Sequence, residues 1–220
     1  MIEAAPILLT LQLALFTTVI LFFIAVPIAW WLSQKPSVFK SVMEVIVSMP
    51  LVLPPSVIGF YLLMAFRPEA FLAKNMHIRL AFSFEGLLIG SLLYSLPFMV
   101  HPIQSGLASL PESLKEASYS LGKSKWETLV KVLLPNIKPS LLTGIILTFA
   151  HTVGEFGIVL MVGGNIPGKT RTAAIAIYDE NDLFHYDIAN QYALILIAIS
   201  FVVLFSMYFI NRRIQRSDYF

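Results

Sequence analysis

The sequence predicts an all-α polytopic membrane protein with five transmembrane helices and an amphipathic helix pair between the third and the fourth. Three observations carry this. Of 220 residues, 57% are hydrophobic and only 13% charged, with a mean hydropathy of +0.79; a soluble domain carries roughly 25% charged residues. The charges gather in short segments and leave long charge-free intervals between them. Prolines and glycines interrupt several of those intervals, which a membrane helix tolerates where protein or a water-filled cavity surrounds the freed backbone groups.

The first interval, between Glu3 and Lys35, predicts a span at 8–32, with Pro27 as a kink and Trp30 and Trp31 at the membrane interface. No basic n-region or cleavage pattern accompanies it, so it reads as an uncleaved span rather than a signal peptide. The second interval predicts a span at 43–66. It contains Pro50, Pro54 and Pro55 with Ser48 and Ser56 beside them, which reads either as a kinked packing helix or as an unwound segment lining a pathway. The third predicts a span at 84–107, with Gly86 and Gly90 at small-xxx-small spacing.

The fourth span is expected at 139–162, opening at Pro139. It holds Glu155 in the run Gly154-Glu155-Phe156-Gly157, the one carboxylate expected inside the membrane. Such a residue marks function by default. Its bland reading is a structural carboxylate satisfied by a basic or hydroxyl partner on a neighbouring helix. His151, four residues earlier, is a candidate partner. A turn-rich loop follows, with Asn165, Pro167, Gly168, Lys169, Thr170, Arg171 and Thr172. Either it is only a loop, or Lys169 and Arg171 attract an anion while Asn165, Thr170 and Thr172 hydrogen-bond it. The acids Asp179, Glu180, Asp182 and Asp187 make this segment net negative and offer a second use, meeting basic residues on a partner. The fifth span is expected at 190–210.

The segment 109–137 is the longest polar stretch. Ser109 with Glu112, and Ser124 with Glu127, have capping-box spacing. Leu110, Leu114, Ala117 and Leu121 form one apolar face, and Trp126, Leu129, Val130 and Leu133 another. Gly122 suits a left-handed helix terminator, and Pro135 is expected to end the second helix. With five spans, ten Lys and Arg fall on the side of this helix pair and the C-terminus, against five on the other. That places the pair and the C-terminus in the cytoplasm and the N-terminus outside, in a cytoplasmic (inner) membrane. The net charge of +2 is too small to suggest nucleic acid. There is no cysteine, hence no disulfide or thiolate metal site.

Glu116-Ala117-Ser118, then Gly122, then Val132-Leu133-Leu134-Pro135 resembles the EAA signature of bacterial ABC-importer permeases, with Ser118 and Val132 as conservative departures. The Pro50–Pro55 run with Gly59, the Gly154–Gly157 run, and Asn165–Thr172 followed by Ile177-Tyr178 are similar to the molybdate branch of that family. The resemblance covers about 10–210. It implies the MetI-like permease fold and a homodimer working with two ATPase subunits and a molybdate-binding protein. It makes Glu116, Ala117, Ser118, Gly122, Leu134 and Pro135 the ATPase-coupling residues. It makes Pro50, Pro54, Pro55, Ser56, Gly154, Glu155, Phe156, Gly157, Asn165, Pro167, Gly168, Thr170 and Arg171 the pathway and gate. Arginine is common in the family where this chain has His151.

No phosphate-binding loop of the G-x-x-x-x-G-K-[ST] type occurs, so the ATP sites are expected on a partner chain. No catalytic residue, cofactor or metal is expected. Tungstate and sulfate are the alternative cargoes. An intramembrane enzyme using His101, His151, His185 and Glu155 is the reading from another class, and His151 with Glu155 supplies only half a metal site.

Overall fold

The computed structural model describes residues 2–67 and 80–217, with side chains to Arg212. Lys74 and Arg79, counted above for the charge bias, lie outside the described residues. The described chain is helical throughout: α1 (Ala5–Leu32), α2 (Val38–Val52), α3 (Pro55–Ala65), α4 (Phe84–Ser109), α5 (Glu112–Ser120), α6 (Lys125–Asn136, with a π turn at Leu129–Leu133), α7 (Lys138–Val153), α8 (Gly157–Gly163), α9 (Ala173–Asp182) and α10 (Tyr186–Ser217).

α1, α4 and Tyr186–Arg212 of α10 are each long and apolar enough to cross a membrane. The second predicted span is instead a bent pair. Pro54 caps α3 in an extended conformation and Pro55 opens it, so α2 and α3 meet at 109°. This is what proline chemistry predicts: the residue before a proline leaves the α region, and proline is favoured in a first turn. α6 and α7 form a second bent pair at 82°. Counting each pair as one span gives up to five spans.

The fourth predicted span is also discontinuous. α7 stops at Val153, with Gly154 as its C-cap, and α8 resumes at Gly157. Sixteen residues reach about 24 Å, short of a hydrocarbon core of about 30 Å. The loop 163–191 is shorter than expected, because α9 occupies much of it.

α1, α4 and α7 pack on one another as the central layer. The largest core cluster runs through it, from Leu21, Ala25 and Ala29 to Met99, Val100, Ile103 and Leu107, and on to Leu129, Leu133 and Ile137 of α6. The helix pair is therefore fastened to the bundle by its second member. α8 lies between α3 and α4, with Ile158 and Val162 buried against Ile58, Leu62 and Phe66. Three glycines permit this close approach. A Cβ at Gly59 would come within 2.8 Å of Met161 Cβ, one at Gly90 within 2.8 Å of Ile158 Cγ2, and one at Gly157 within 2.7 Å of Pro55 Cβ. α10 is peripheral, with 6% of its apolar window buried against 50% for α4.

Candidate functional site

The two helix breaks converge. Pro55 and Ser56 at the start of α3 face Gly154, Glu155, Phe156 and Gly157 across a pocket of about 580 Å³, whose wall is completed by Tyr94, Ala150 and His151. Six of the pathway residues named from sequence thus share one concave site. Each break leaves helix-terminal backbone groups without intrahelical partners. Two such ends facing one cavity give it polarity beyond that of its one carboxyl, Glu155. Pro50 and Pro54 lie outside this wall: Pro50 is inside α2, and Pro54 caps α3.

His151 and Glu155 do not pair. His151 turns to α4, where its Nδ1 lies 3.0 Å from Ser95 Oγ and its ring stacks on Phe98 at 3.9 Å between centroids. Ser95 Oγ is also 3.0 Å from Thr152 Oγ1, which donates to the Thr148 carbonyl. Glu155 is 4% exposed, and neither carboxyl oxygen has a hydrogen-bond partner among the described residues. The hydroxyl beside it is that of Ser91 on α4, itself buried and otherwise unpartnered, which is the kind of neighbouring-helix partner the sequence calls for. His101 is also tied to a serine: Ser48 Oγ donates to the Glu44 carbonyl and lies 3.0 Å from His101 Nε2. His185 sits with Glu180. The histidines of the enzyme reading thus occupy three separate settings.

In the loop at 163–172 the candidate anion-binding side chains are engaged within the chain. Thr170 is buried; its hydroxyl donates to the Gly163 carbonyl at 2.7 Å and accepts from the Ile166 N–H. Asn165, at a left-handed φ of 55°, donates its amide to both oxygens of Asp179. Arg171 pairs with Asp179 at 3.2 Å and with Glu180 at 3.3 Å. Thr172 caps α9. These side chains hold the loop against α9, leaving Pro167, Gly168 and Lys169 exposed at its tip.

In the helix pair, α5 ends in a Schellman arrangement: Gly122, at φ +75°, donates to Tyr119 O, and Lys123 N–H donates to Ser118 O. The Ser124–Glu127 capping box forms in both directions. The Ser109–Glu112 box does not. α4 runs through Ser109, whose hydroxyl returns to the Gly106 carbonyl, and Pro111 takes the cap position without a side-chain bond. Pro135 does not end the second helix either; it sits in a short continuation, and the bend falls at Ile137.

Ser118 is buried, its hydroxyl 2.9 Å from Thr128 Oγ1, so it bolts α5 to α6. Glu116, Ala117, Leu121 (79% exposed) and Trp126 (58%) form the outward surface, with Pro135 exposed and Leu134 half-buried. Leu121 therefore leaves the predicted apolar face. Trp126 also touches Trp30 edge-on at 6.4 Å, which places Trp30 against the helix pair rather than in a lipid-facing belt.

Discontinuous helices around a shared cavity, with an exposed helix pair at one end, are an architecture suited to a transport permease. The chain belongs to the family described as binding-protein-dependent transport system inner membrane component, whose model matches residues 22–216. It is thus the membrane subunit of a transporter and not an enzyme.

Among similar proteins, the molybdenum transport system permease protein ModB of Azotobacter vinelandii is 43% identical over 94% of this chain and 93% of its own length. A probable sulfate transport system permease protein of Chlorokybus atmophyticus is 33% identical over 92% of this chain and 72% of its own. The fold is shared with a bacterial ABC transporter that imports alginate (TM-score 0.79, 16% identity, 96% of this chain and 79% of that one). It is shared also with the methionine ABC transporter MetNI in an inward-facing conformation (TM-score 0.73, 18% identity, 94% of each chain).

Proposed function

We propose that this chain is the permease subunit of an ATP-driven importer of molybdate. The observation that carries the reading is the 43% identity, over nearly the whole chain, to a permease named for molybdenum transport. The pocket between the two helix breaks supports it. A translocation site has to release what it binds, so a cavity bounded by helix ends and hydroxyls, without a cage of fixed cations, suits passage of an oxyanion.

The working unit is a homodimer of this chain with two cytoplasmic ATPase subunits and an external molybdate-binding protein. The chain crosses the membrane five times, with the N-terminus outside and the helix pair and C-terminus in the cytoplasm. Glu116, Ala117, Leu121 and Trp126 present the surface that docks on the ATPase, while Gly122 sets the angle of α5. ATP-driven closure of the ATPases moves the pair. The movement passes to α1 through Trp30–Trp126 and to α7 through the bend at Ile137. Inward- and outward-open states then exchange population because the ATPase dimer binds them unequally. Pro50, Pro54, Pro55, Ser56 and the Gly154–Gly157 run line or hinge the path. The tip at Pro167–Lys169, with Asp182 and Asp187, meets the binding protein. The molecule supplies the route and the levers; ATP chemistry belongs to the partner.

Purified permease, ATPase and binding protein in proteoliposomes should take up radiolabelled molybdate only with internal ATP and all three components. Uptake without ATP or without the ATPase would overturn the reading. A sulfate permease is the second reading, favoured by the 33% identity to a sulfate-system relative. Competition decides it: excess tungstate should block molybdate uptake strongly and sulfate weakly if the first reading holds.

A further inference from the structure

Proton accounting around His151 leads beyond a pathway assignment. Thr152 has one hydroxyl proton, and it goes to the Thr148 carbonyl at 3.0 Å. Toward Ser95, Thr152 can therefore only accept. With all three contacts formed at once, the single Ser95 proton goes to Thr152 at 3.0 Å. Ser95 then accepts from His151, whose Nδ1 lies 3.0 Å away. The chain Nδ1–H to Ser95 to Thr152 to Thr148 carbonyl has one direction, and it fixes the Nδ1–H tautomer.

Nε2 is left with a bare lone pair and makes no hydrogen bond among the described residues. The ring is held by stacking on Phe98 and by Tyr94 at 4.9 Å between centroids. It belongs to the wall of the pocket between the two breaks. That wall contains no lysine or arginine. Its other titratable groups are Tyr94 from α4 and Glu155 beyond the end of α7, while α3 contributes Ser56 and no charge.

A tetrahedral dianion carries acceptors only. It is repelled by the lone pair of a singly protonated ring and attracted by the N–H of a doubly protonated one. We propose that His151 is a substrate-contacting residue, donating through Nε2–H to a tetrahedral oxyanion in this pocket, so that each dianion occupies the site together with one proton on the imidazole. The Ser95 bond survives this change, because Nδ1 donates in both protonation states. The ring therefore need not reorient when it takes the proton. This deepens the molybdate reading and rests on it.

The test uses the reconstituted permease, ATPase and binding protein with radiolabelled molybdate between pH 6 and 8. His151→Gln should lower uptake about tenfold, the scale of one hydrogen bond to a charged group, and should flatten its pH dependence. His151→Arg, a permanent cation, should restore uptake and remove the dependence. The ratio of wild-type to His151→Arg uptake should then rise as pH falls, cancelling the pH responses of the ATPase and of binding-protein delivery. Glu155→Gln removes the pocket's one carboxyl; made in both backgrounds, it should leave the ratio rising as pH falls, and a ratio that goes flat in Glu155→Gln would overturn the proposal by assigning the pH dependence to Glu155. ATPase stimulation by the binding protein reports that each variant is assembled.

Wild-type pH dependence persisting in assembled His151→Gln would overturn the proposal, as would a ratio that does not change with pH. If the wild-type complex takes up neither molybdate nor sulfate, it is the importer reading that fails instead.

Discussion

The backbone of Gly157, at the first turn of α8, lies directly against the ring of Pro55, at the first turn of α3: a Cβ added at 157 would stand 2.7 Å from Pro55 Cβ. Two helix ends generated by separate sequence signals, more than 100 residues apart, are in van der Waals contact and share one pocket. Gly157→Ala should cost about 1–3 kcal/mol of stability through overpacking, and Gly157→Val more. Thermal unfolding in detergent checks this. Uptake should fall further than stability does, because the same contact shapes the pocket.

Gly122 has open space around it, and only its backbone demands glycine: φ is +75°, and no atom lies within 4 Å of an added Cβ. Gly122→Ala should cost about 1–2 kcal/mol. A β-branched replacement should tilt α5 and uncouple the machine. The signature is ATPase activity that no longer responds to loaded binding protein, with the complex still assembled.

Ser118 and Thr128 share a buried hydroxyl pair at 2.9 Å. Each single alanine variant strands one hydroxyl and should cost about 1–3 kcal/mol, and the double variant should cost less than the sum. A double-mutant cycle on thermal stability measures the difference. Additive values would mean that the two residues do not act as one bolt.

Arg171 neutralises Asp179 and Glu180 together, with side chains that are partly buried. Arg171→Ala should therefore cost between the roughly 1 kcal/mol of an exposed pair and the roughly 3 kcal/mol of a buried one. Amide exchange should rise along 163–182. Molybdate affinity of the assembled complex should stay unchanged, the result expected of a side chain spent on these two acids.

Lys131 donates to Glu127 at 3.1 Å, and Ser124 adds backbone and side-chain bonds; these hold the Glu127 carboxyl below its ordinary value. The folded pair favours the ion. Its contribution is present above the ordinary glutamate value of about 4.3 and is lost as pH falls through the lowered folded value. Amide protection factors within 124–131, taken relative to the intrinsic rate at each pH, should fall below that range in the wild type and stay level in Glu127→Gln.

Where local chemistry decides, the sequence is a good guide. Gly122, the Ser124–Glu127 box and the prolines at 54 and 55 behave as their residue types require. Where a side chain chooses between neighbours far apart in sequence, it is not. His151 is spaced to meet Glu155 but turns to Ser95 on another helix. Arg171 reads as an anion donor until α9 brings Asp179 and Glu180 beneath it. Ser118 looks like a surface position because it is polar, and is buried because Thr128 satisfies it. The gap in the fourth span is written in Gly154, Glu155 and Gly157, yet no proline marks it, and the apolar runs on either side read as one span. Pro135 misleads for a simple reason: the π turn at Leu129–Leu133 ends just before it, and proline is tolerated in the first turn of the short α-helical continuation that follows.

The central claim is that an oxyanion passes through the pocket where Pro55 and Ser56 meet Gly154–Gly157. The chain has no cysteine, so Ser56→Cys installs the permease's sole thiol in that wall. In proteoliposomes containing this variant, the binding protein and an ATPase insensitive to thiol reagents, a small charged thiol reagent should abolish molybdate uptake. Excess molybdate should slow the modification. Full uptake after complete modification of Ser56→Cys would contradict the account.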